Sequence, residues 1–126
     1  MPGIEHMHAD ALRLPGPYVR PHGALWLAVN GDDAIGCVAL RPLADDIGEV
    51  KRMYVDGAWR GQGVGRALLE TLIASARARG YRRLRLGTIA EMTAARSLYR
   101  ALGFVPIERY RADEVVDTEF YELALE

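Results

Sequence analysis

The sequence contains one cysteine, Cys37, and one lysine, Lys51, in 126 residues. A single cysteine excludes an intrachain disulfide and any cysteine-based metal centre within the chain. No long apolar run is present. The longest, Ala24–Val29, falls far short of the roughly 20 residues that a membrane helix needs. The first residues carry Glu5 and Asp10 and show no apolar stretch of signal-peptide length. A cytoplasmic protein with no membrane partner is the expectation. Excess charge of either sign is also missing, since the formal net charge is −1. A protein that holds polyanions usually has a basic surplus, so no nucleic-acid partner is expected. The clustered Arg77, Arg79, Arg82, Arg83 and Arg85 read better as a solvated helix end or as a contact with an acidic group on a partner or ligand. His6 and His8 lie two apart, a spacing that points them in different directions on a helix, so no metal site is expected.

What is present is ordinary for a globular protein: 50% hydrophobic and 26% charged residues. The length suits one domain over residues 1–126. Ile4, Met7, Ala11 and Leu12 are spaced as on a short helix, which Pro15-Gly16 stops. Leu25–Asn30 and Ile35–Leu40 read as strands of a hairpin around Gly31-Asp32-Asp33, and Glu49–Val55 as a third strand. The period then changes. Val64, Leu68, Leu69, Leu72, Ile73 and Ala76 mark one face of a helix over Gly63–Arg79, and Gly80 suits its C-terminal stop. Tyr81–Thr88 alternates as a strand. Met92–Leu102 forms a second helix with Ala95, Leu98, Tyr99 and Leu102 on one face. Phe104–Ile107 and Thr118–Leu125 are further strands. This pattern specifies an α/β domain with one mixed sheet and flanking helices.

Between the third strand and the first long helix lies Arg60-Gly61-Gln62-Gly63-Val64-Gly65-Arg66. Glycines at alternate positions permit tight turning and close approach of backbone to a ligand. The first N–H groups of the following helix lack intrahelical acceptors and sit at the positive end of its dipole. The loop therefore suits a phosphate or pyrophosphate. It is not a P-loop, because Gly65 is followed by Arg66-Ala67 rather than Lys-Ser/Thr. Nor does its G-x-G-x-G spacing fit the dinucleotide G-x-G-x-x-G fingerprint.

Arg60-x-x-Gly63-x-Gly65 resembles the R/Q-x-x-G-x-G/A signature of the GNAT acyltransferases. Glu49-Val-Lys-Arg-Met-Tyr-Val55 precedes it and Arg66-Ala-Leu-Leu69 follows, as in that family. Ser97-Leu-Tyr99-Arg-Ala-Leu-Gly103-Phe104 is similar to the family's second signature. The resemblance runs from about Leu14 onward. It implies a GNAT-like mixed sheet with a splayed central strand pair, acetyl-CoA as cosubstrate, and transfer of acetyl to a primary amine of a small molecule or peptide. Which amine stays open. By the resemblance, Met53, Tyr54 and Val55 pair with the pantetheine arm, and one of their N–H groups polarises the thioester carbonyl. Arg60, Gly61, Gln62, Gly63, Val64, Gly65 and Arg66 hold the pyrophosphate.

Two residues are nominated for catalysis: Tyr99 as proton donor to the CoA thiolate, and Glu49 as base, directly or through water. Taken alone, Tyr99 would be a core aromatic and Glu49 a surface charge at a strand end. Cys37 reads as a small core residue, since direct transfer needs no covalent intermediate. Met92 stands where the family often has asparagine. The N-terminal strand and helices are expected to be shortened, which keeps a second reading open: a CoA-binding module without catalysis. The same shortening would leave the doubly apolar Ala24–Val29 strand at an open edge, to be covered by the chain's own N-terminal segment or by a second subunit. A homodimer or larger assembly is the resulting expectation.

Overall fold

The computed structural model describes residues 3–7, 23–89, 92–112 and 117–125. The alternating segments become strands, named in chain order: β1 (Gly3–Met7), β2 (Ala24–Asn30), β3 (Asp33–Ala44), β4 (Ile47–Val55), β5 (Arg83–Ile89), β6 (Val105–Ile107) and β7 (Thr118–Ala124). The 3.6-residue patterns become α1 (Val64–Ala78) and α2 (Thr93–Ala101). One seven-stranded sheet results, in the order β1-β2-β3-β4-β5-β7-β6. Every neighbouring pair is antiparallel except β4 and β5, which α1 joins as a crossover.

The N-terminus corrects one expectation. Helical spacing over Met1–Leu14 predicted a short helix, yet Gly3–Met7 is a strand paired with β2 from Gly3↔Val29 to Met7↔Leu25. The rest of that predicted helix lies outside the described residues. Local spacing loses here because β2 offers a row of backbone donors and acceptors that a strand satisfies and a helix does not. The edge of β2 is thus covered by the chain itself. Its doubly apolar composition is also accounted for: Ala24, Trp26 and Ala28 enter the main core, while Leu25 packs with Ala39 in a smaller cluster on the opposite face.

The main core lies between the sheet and α1. Leu68, Leu69, Leu72 and Ala76 of α1 are fully buried, together with Val38, Leu40, Leu84 and Tyr121 of the sheet. Each such leucine contributes about 1.5–3 kcal/mol of burial, which outweighs the intrinsic helix propensities. Cys37 lies on the other face beside Leu25 and Ala39. Burial pushes its thiol up from the usual value, and the thiol donates to the Arg52 carbonyl at 3.1 Å. Cys37 thus packs against the smaller cluster as a partly buried residue and not within the main core.

Two features of β4 shape the site. Parallel pairing with β5 covers only Ile47↔Arg83, Gly48↔Leu84 and Glu49↔Arg85. Beyond that row the strands part, which is the expected splay. The other feature is a bulge. Cys37 pairs with Tyr54 and Ala39 with Lys51, so Arg52 and Met53 together oppose Val38. Arg52 absorbs the extra residue at φ 54°. Val50 faces the core, and strict alternation would turn Met53 away from it. The bulge brings Met53 and Val55 back to the α1 side, where both approach Gly65.

Candidate functional site

The loop nominated from sequence leads from a 3₁₀ turn, Gly57–Trp59, into α1. Its three glycines act differently. Gly61 and Gly63 have φ of 78° and 86°, and a side chain begun at either would meet nothing within 4 Å. They are needed for the left-handed backbone, and they leave the space above the loop open. Gly65 is needed for packing, since a Cβ there would come within 3.0 Å of Met53 and 3.4 Å of Leu98. Gly63 is the N-cap of α1 and makes no side-chain cap, and no acidic residue occupies the first turn. The first bond of the helical ladder runs from Ala67 N–H to the Gly63 carbonyl at 3.0 Å. The amides just before Ala67 therefore open outward at the positive end of the dipole. A pyrophosphate fits this donor set and this vacant shape.

The loop forms one wall of a cleft of about 620 Å³. Met53, Tyr54 and Val55 of β4 form a second wall, and Ala95, Leu98 and Tyr99 of α2 a third. Tyr99 is 5% exposed and packs against Phe104 and Tyr121, with ring centroids 5.8 and 6.2 Å away. Burial pushes its hydroxyl up to about 12. At neutral pH its hydroxyl is therefore protonated, on a residue that lines the cleft. Both arginines of the loop border the cleft. Arg60 donates to the Val55 carbonyl at 3.1 Å, and Arg66 pairs with Glu70 one turn along α1 at 3.2 Å.

Of the residues nominated from sequence, all but Glu49 and Gln62 line this cleft. The Gln62 side chain turns back to the Ala58 carbonyl at 3.3 Å. Glu49 lies on the other face of the sheet and is fully buried. Its Oε1 accepts from Arg41 Nε and Nη2 at 2.7 and 2.6 Å. Its Oε2 accepts from the Tyr110 hydroxyl at 2.5 Å and from Arg111 Nη1 at 3.0 Å. A carboxylate offers about four lone-pair sites, and these donors use them all. Glu49, read from sequence as a base or as a strand-end surface charge, is thus buried, and its carboxylate already accepts from four donor atoms. The same bond raises the Tyr110 hydroxyl, with burial as the larger cause.

Trp59, Met92, Thr93 and Ala94 also border the cleft and were not nominated. Met92 carried a signal, as the residue replacing a family asparagine, while the others carried none. Ala95 and Leu98 were assigned to the core by helical periodicity, and they serve both core and cleft. Tyr110 and Arg111, which follow β6, were not nominated either. Arg85, grouped by sequence with the basic helix end, instead pairs with Glu122 at 2.8 Å on the Glu49 face. Among the described residues no group of three or more His, Cys, Asp and Glu side chains could hold a metal ion. Among them, too, no helix is long and apolar enough to cross a membrane.

A helix start with open amides and a buried tyrosine line one cleft beside the forked β4/β5 pair. Residues 3–104 fit the acetyltransferase (GNAT) family. The chain belongs to that family of acyltransferase enzymes. It is 34% identical over 111 residues to YsnE of Bacillus subtilis, an N-acetyltransferase described as uncharacterized, covering 79% of this chain and 74% of that protein. It is 37% identical over 100 residues to the N-acetylaspartate synthetase of Danio rerio, covering 78% of this chain but 36% of the fish protein. The GNAT chain thus spans about a third of that longer relative's length. A solved GNAT acetyltransferase from Elizabethkingia anophelis with acetyl-CoA bound shares the fold, with TM-score 0.75 and 23% identity over 98% of this chain and 97% of that one.

Proposed function

We propose that this protein is an N-acetyltransferase that moves an acetyl group from acetyl-CoA to a primary amine in a ternary complex, as one domain over residues 1–126. The observation that carries the reading is the shared cleft. The open amides at the start of α1, the unpaired edge of β4 beyond Glu49 and the Tyr99 hydroxyl all meet there. The bound acetyl-CoA of the Elizabethkingia neighbour supports the same cosubstrate here.

When bound, acetyl-CoA supplies a thioester whose carbonyl carbon the amine attacks, so that a C–N bond forms and the C–S bond breaks. The chain's own residues do the rest. Gly61 to Arg66 hold the pyrophosphate by backbone N–H groups, with Arg60 and Arg66 beside it. The β4 edge at Met53, Tyr54 and Val55 pairs with the pantetheine arm, and one of its N–H groups polarises the carbonyl oxygen. Tyr99 gives its proton to the departing sulfur and regains one from water. The amine has an ordinary pKa of about 10.4 if it is a lysine-like group, and must lose a proton first. In this reading water takes that proton, because the oxygens of Glu49 are occupied by Arg41, Arg111 and Tyr110. Glu49 positions the acceptor side of the fork.

Cys37, a half-buried thiol and the chain's one cysteine, suits a reducing cytoplasmic setting. The main reason to expect a dimer was an uncovered β2, and β1 now covers it. Association stays in the reading only as a second wall for the acceptor mouth. The test is acetyl-CoA binding by calorimetry together with thiol release on a mixed amine panel. Binding with amine-dependent thiol release supports the reading. Binding without release for any amine marks a CoA-binding module, and no binding removes the assignment altogether.

A further inference from the structure

Four large apolar side chains are exposed among the described residues: Tyr54 (55%), Ile89 (41%), Met92 (53%) and Val105 (56%). Three of them belong to the open end of the fork. Arg41 opposes Glu49 and Cys37 opposes Tyr54, and residues four apart on β3 share a face. Tyr54 therefore stands on the Glu49 face of β4. Ile89 is four residues past Arg85, the partner of Glu49, and stands on that same face of β5. Tyr54 is five residues past Glu49, but the bulge at Arg52 takes up one of them. The two side chains thus stand at one height on opposite arms, roughly 13 Å past the last paired row at about 3.3 Å per residue.

Met92 joins them at the tip of the β5 arm. Its N–H donates to the Ile89 carbonyl at 2.9 Å, which closes a tight turn between β5 and α2. Tyr54 and Met92 also border the cofactor cleft of about 620 Å³. The exposed apolar surface therefore adjoins a cavity and does not stand alone on the sheet.

A single exposed apolar side chain is ordinary, whereas several around one opening mark a binding surface. Their position narrows the occupant. Val64 and Gly65 of α1 and Leu98 and Tyr99 of α2 wall the cleft on the core face, where the proposed cosubstrate lies. An amine then reaches the thioester from the Glu49 face, between Tyr54 and Ile89. A specific protein interface takes about 800 Å² and 20–30 residues on each partner. Three side chains around a gap between two strands suit a small molecule instead.

We infer that Tyr54, Ile89 and Met92 receive the acceptor, and that it is a primary amine on an apolar body, an alkyl or aryl group. The body lies between the arms while the amine reaches into the fork. This rests on the acetyltransferase reading above and names the substrate class of its site. A strongly polar body would give up its water there without gaining a partner from Ile89 or Met92.

The experiment uses the whole chain with acetyl-CoA. Ethylamine, butylamine and hexylamine share one ammonium basicity and differ only in apolar length. Phenethylamine, glycine and spermidine complete the panel. From ethylamine to hexylamine kcat/KM is expected to rise by up to about fourfold per methylene, and by at least about tenfold in all. Phenethylamine should exceed glycine and spermidine. Ile89→Thr keeps the β-branch and should lower the hexylamine-to-ethylamine ratio by about fourfold, the equivalent of one methylene contact. Its acetyl-CoA affinity should equal that of the wild type.

A flat or falling alkyl series overturns the inference, and so does better turnover of glycine or spermidine than of hexylamine. Both results leave the acetyltransferase reading standing. If Ile89→Thr keeps the full ratio, the acceptor lies elsewhere. If the wild type sediments as a dimer and Ile89→Thr as a monomer, a second copy occupies this surface and the inference is overturned. Should Ile89→Thr not fold, the wild-type series decides alone. Acetyl-CoA binding without turnover of any amine removes the inference together with catalysis, and failure to bind acetyl-CoA removes the whole assignment.

Discussion

Glu49 and Arg85 are the last partners that β4 and β5 share, and the fork of the sheet opens directly beyond them. The two faces of the sheet differ at this row. On one side Val50, Met53 and Val55 lead toward α1 and the cofactor cleft. On the other, Glu49 collects Arg41, Arg111 and Tyr110. Because Glu49 is fully buried, the donors around it hold both the carboxylate and the base of the fork in place.

Glu49→Gln tests that role. Breaking a buried ion pair from one side costs about 3–5 kcal/mol, because the partner charges stay behind. The expected outcome is a thermal midpoint lower by roughly 10 °C or more, with the residual folded protein still binding acetyl-CoA. An unchanged midpoint with a large loss of turnover would instead make Glu49 the direct base.

Tyr99→Phe is expected to preserve acetyl-CoA affinity and lower kcat by about 10²–10⁴-fold, the usual contribution of a general acid. Steady-state kinetics beside calorimetry make the check. A parallel loss of affinity and turnover would mark a contact rather than a proton donor.

The same tyrosine gives a pH signature. Its folded value is pushed up to about 12 by burial, whereas the unfolded side chain titrates near 10. The folded state then keeps a proton that the unfolded state releases. The stabilisation is complete below about pH 10 and is lost as pH rises toward about 12, by roughly 3 kcal/mol. Urea unfolding of wild type and Tyr99→Phe between these pH values should show a steeper decline in the wild type. Parallel curves would contradict it.

Gly63→Val and Gly65→Val separate two uses of glycine. At Gly63 the obstacle is φ of 86°, with open space around the position. Strain of about 1–3 kcal/mol and loss of acetyl-CoA binding are expected from a domain that still folds. At Gly65 the new side chain crowds the ends of Met53 and Leu98, which must shift to admit it. Binding and thermal stability should both fall. Unchanged affinity in both variants would remove the loop from the site.

Met92→Asn is expected to stabilise the protein. Met92 is the N-cap of α2 and makes no side-chain cap. Asparagine there can accept from the first turn, which contributes about 1 kcal/mol. A rise of a few degrees in the thermal midpoint checks it, and no rise would mean that the terminus is satisfied in another way.

The sequence by itself determined the local chemistry of this protein. The apolar spacing over Val64–Ala76 specified α1 and its buried face, and the glycines at 61, 63 and 65 specified a turn into that helix. Tyr99 was legible only through its resemblance to a family motif, since an amphipathic helix presents a core tyrosine and a cleft tyrosine identically. What the tertiary structure decided depends on partners distant in the chain. Gly3–Met7 became a strand because β2 lay beside it with unpaired backbone, although its own spacing read as helix. Glu49 became a buried anchor because Tyr110 and Arg111, some sixty residues later, reach back over it. The bulge at Arg52 leaves no mark in side-chain chemistry, yet it turns Met53 and Val55 into the cleft. Periodicity reports which face a residue belongs to only while a strand alternates without interruption, and here the interruption falls within the site.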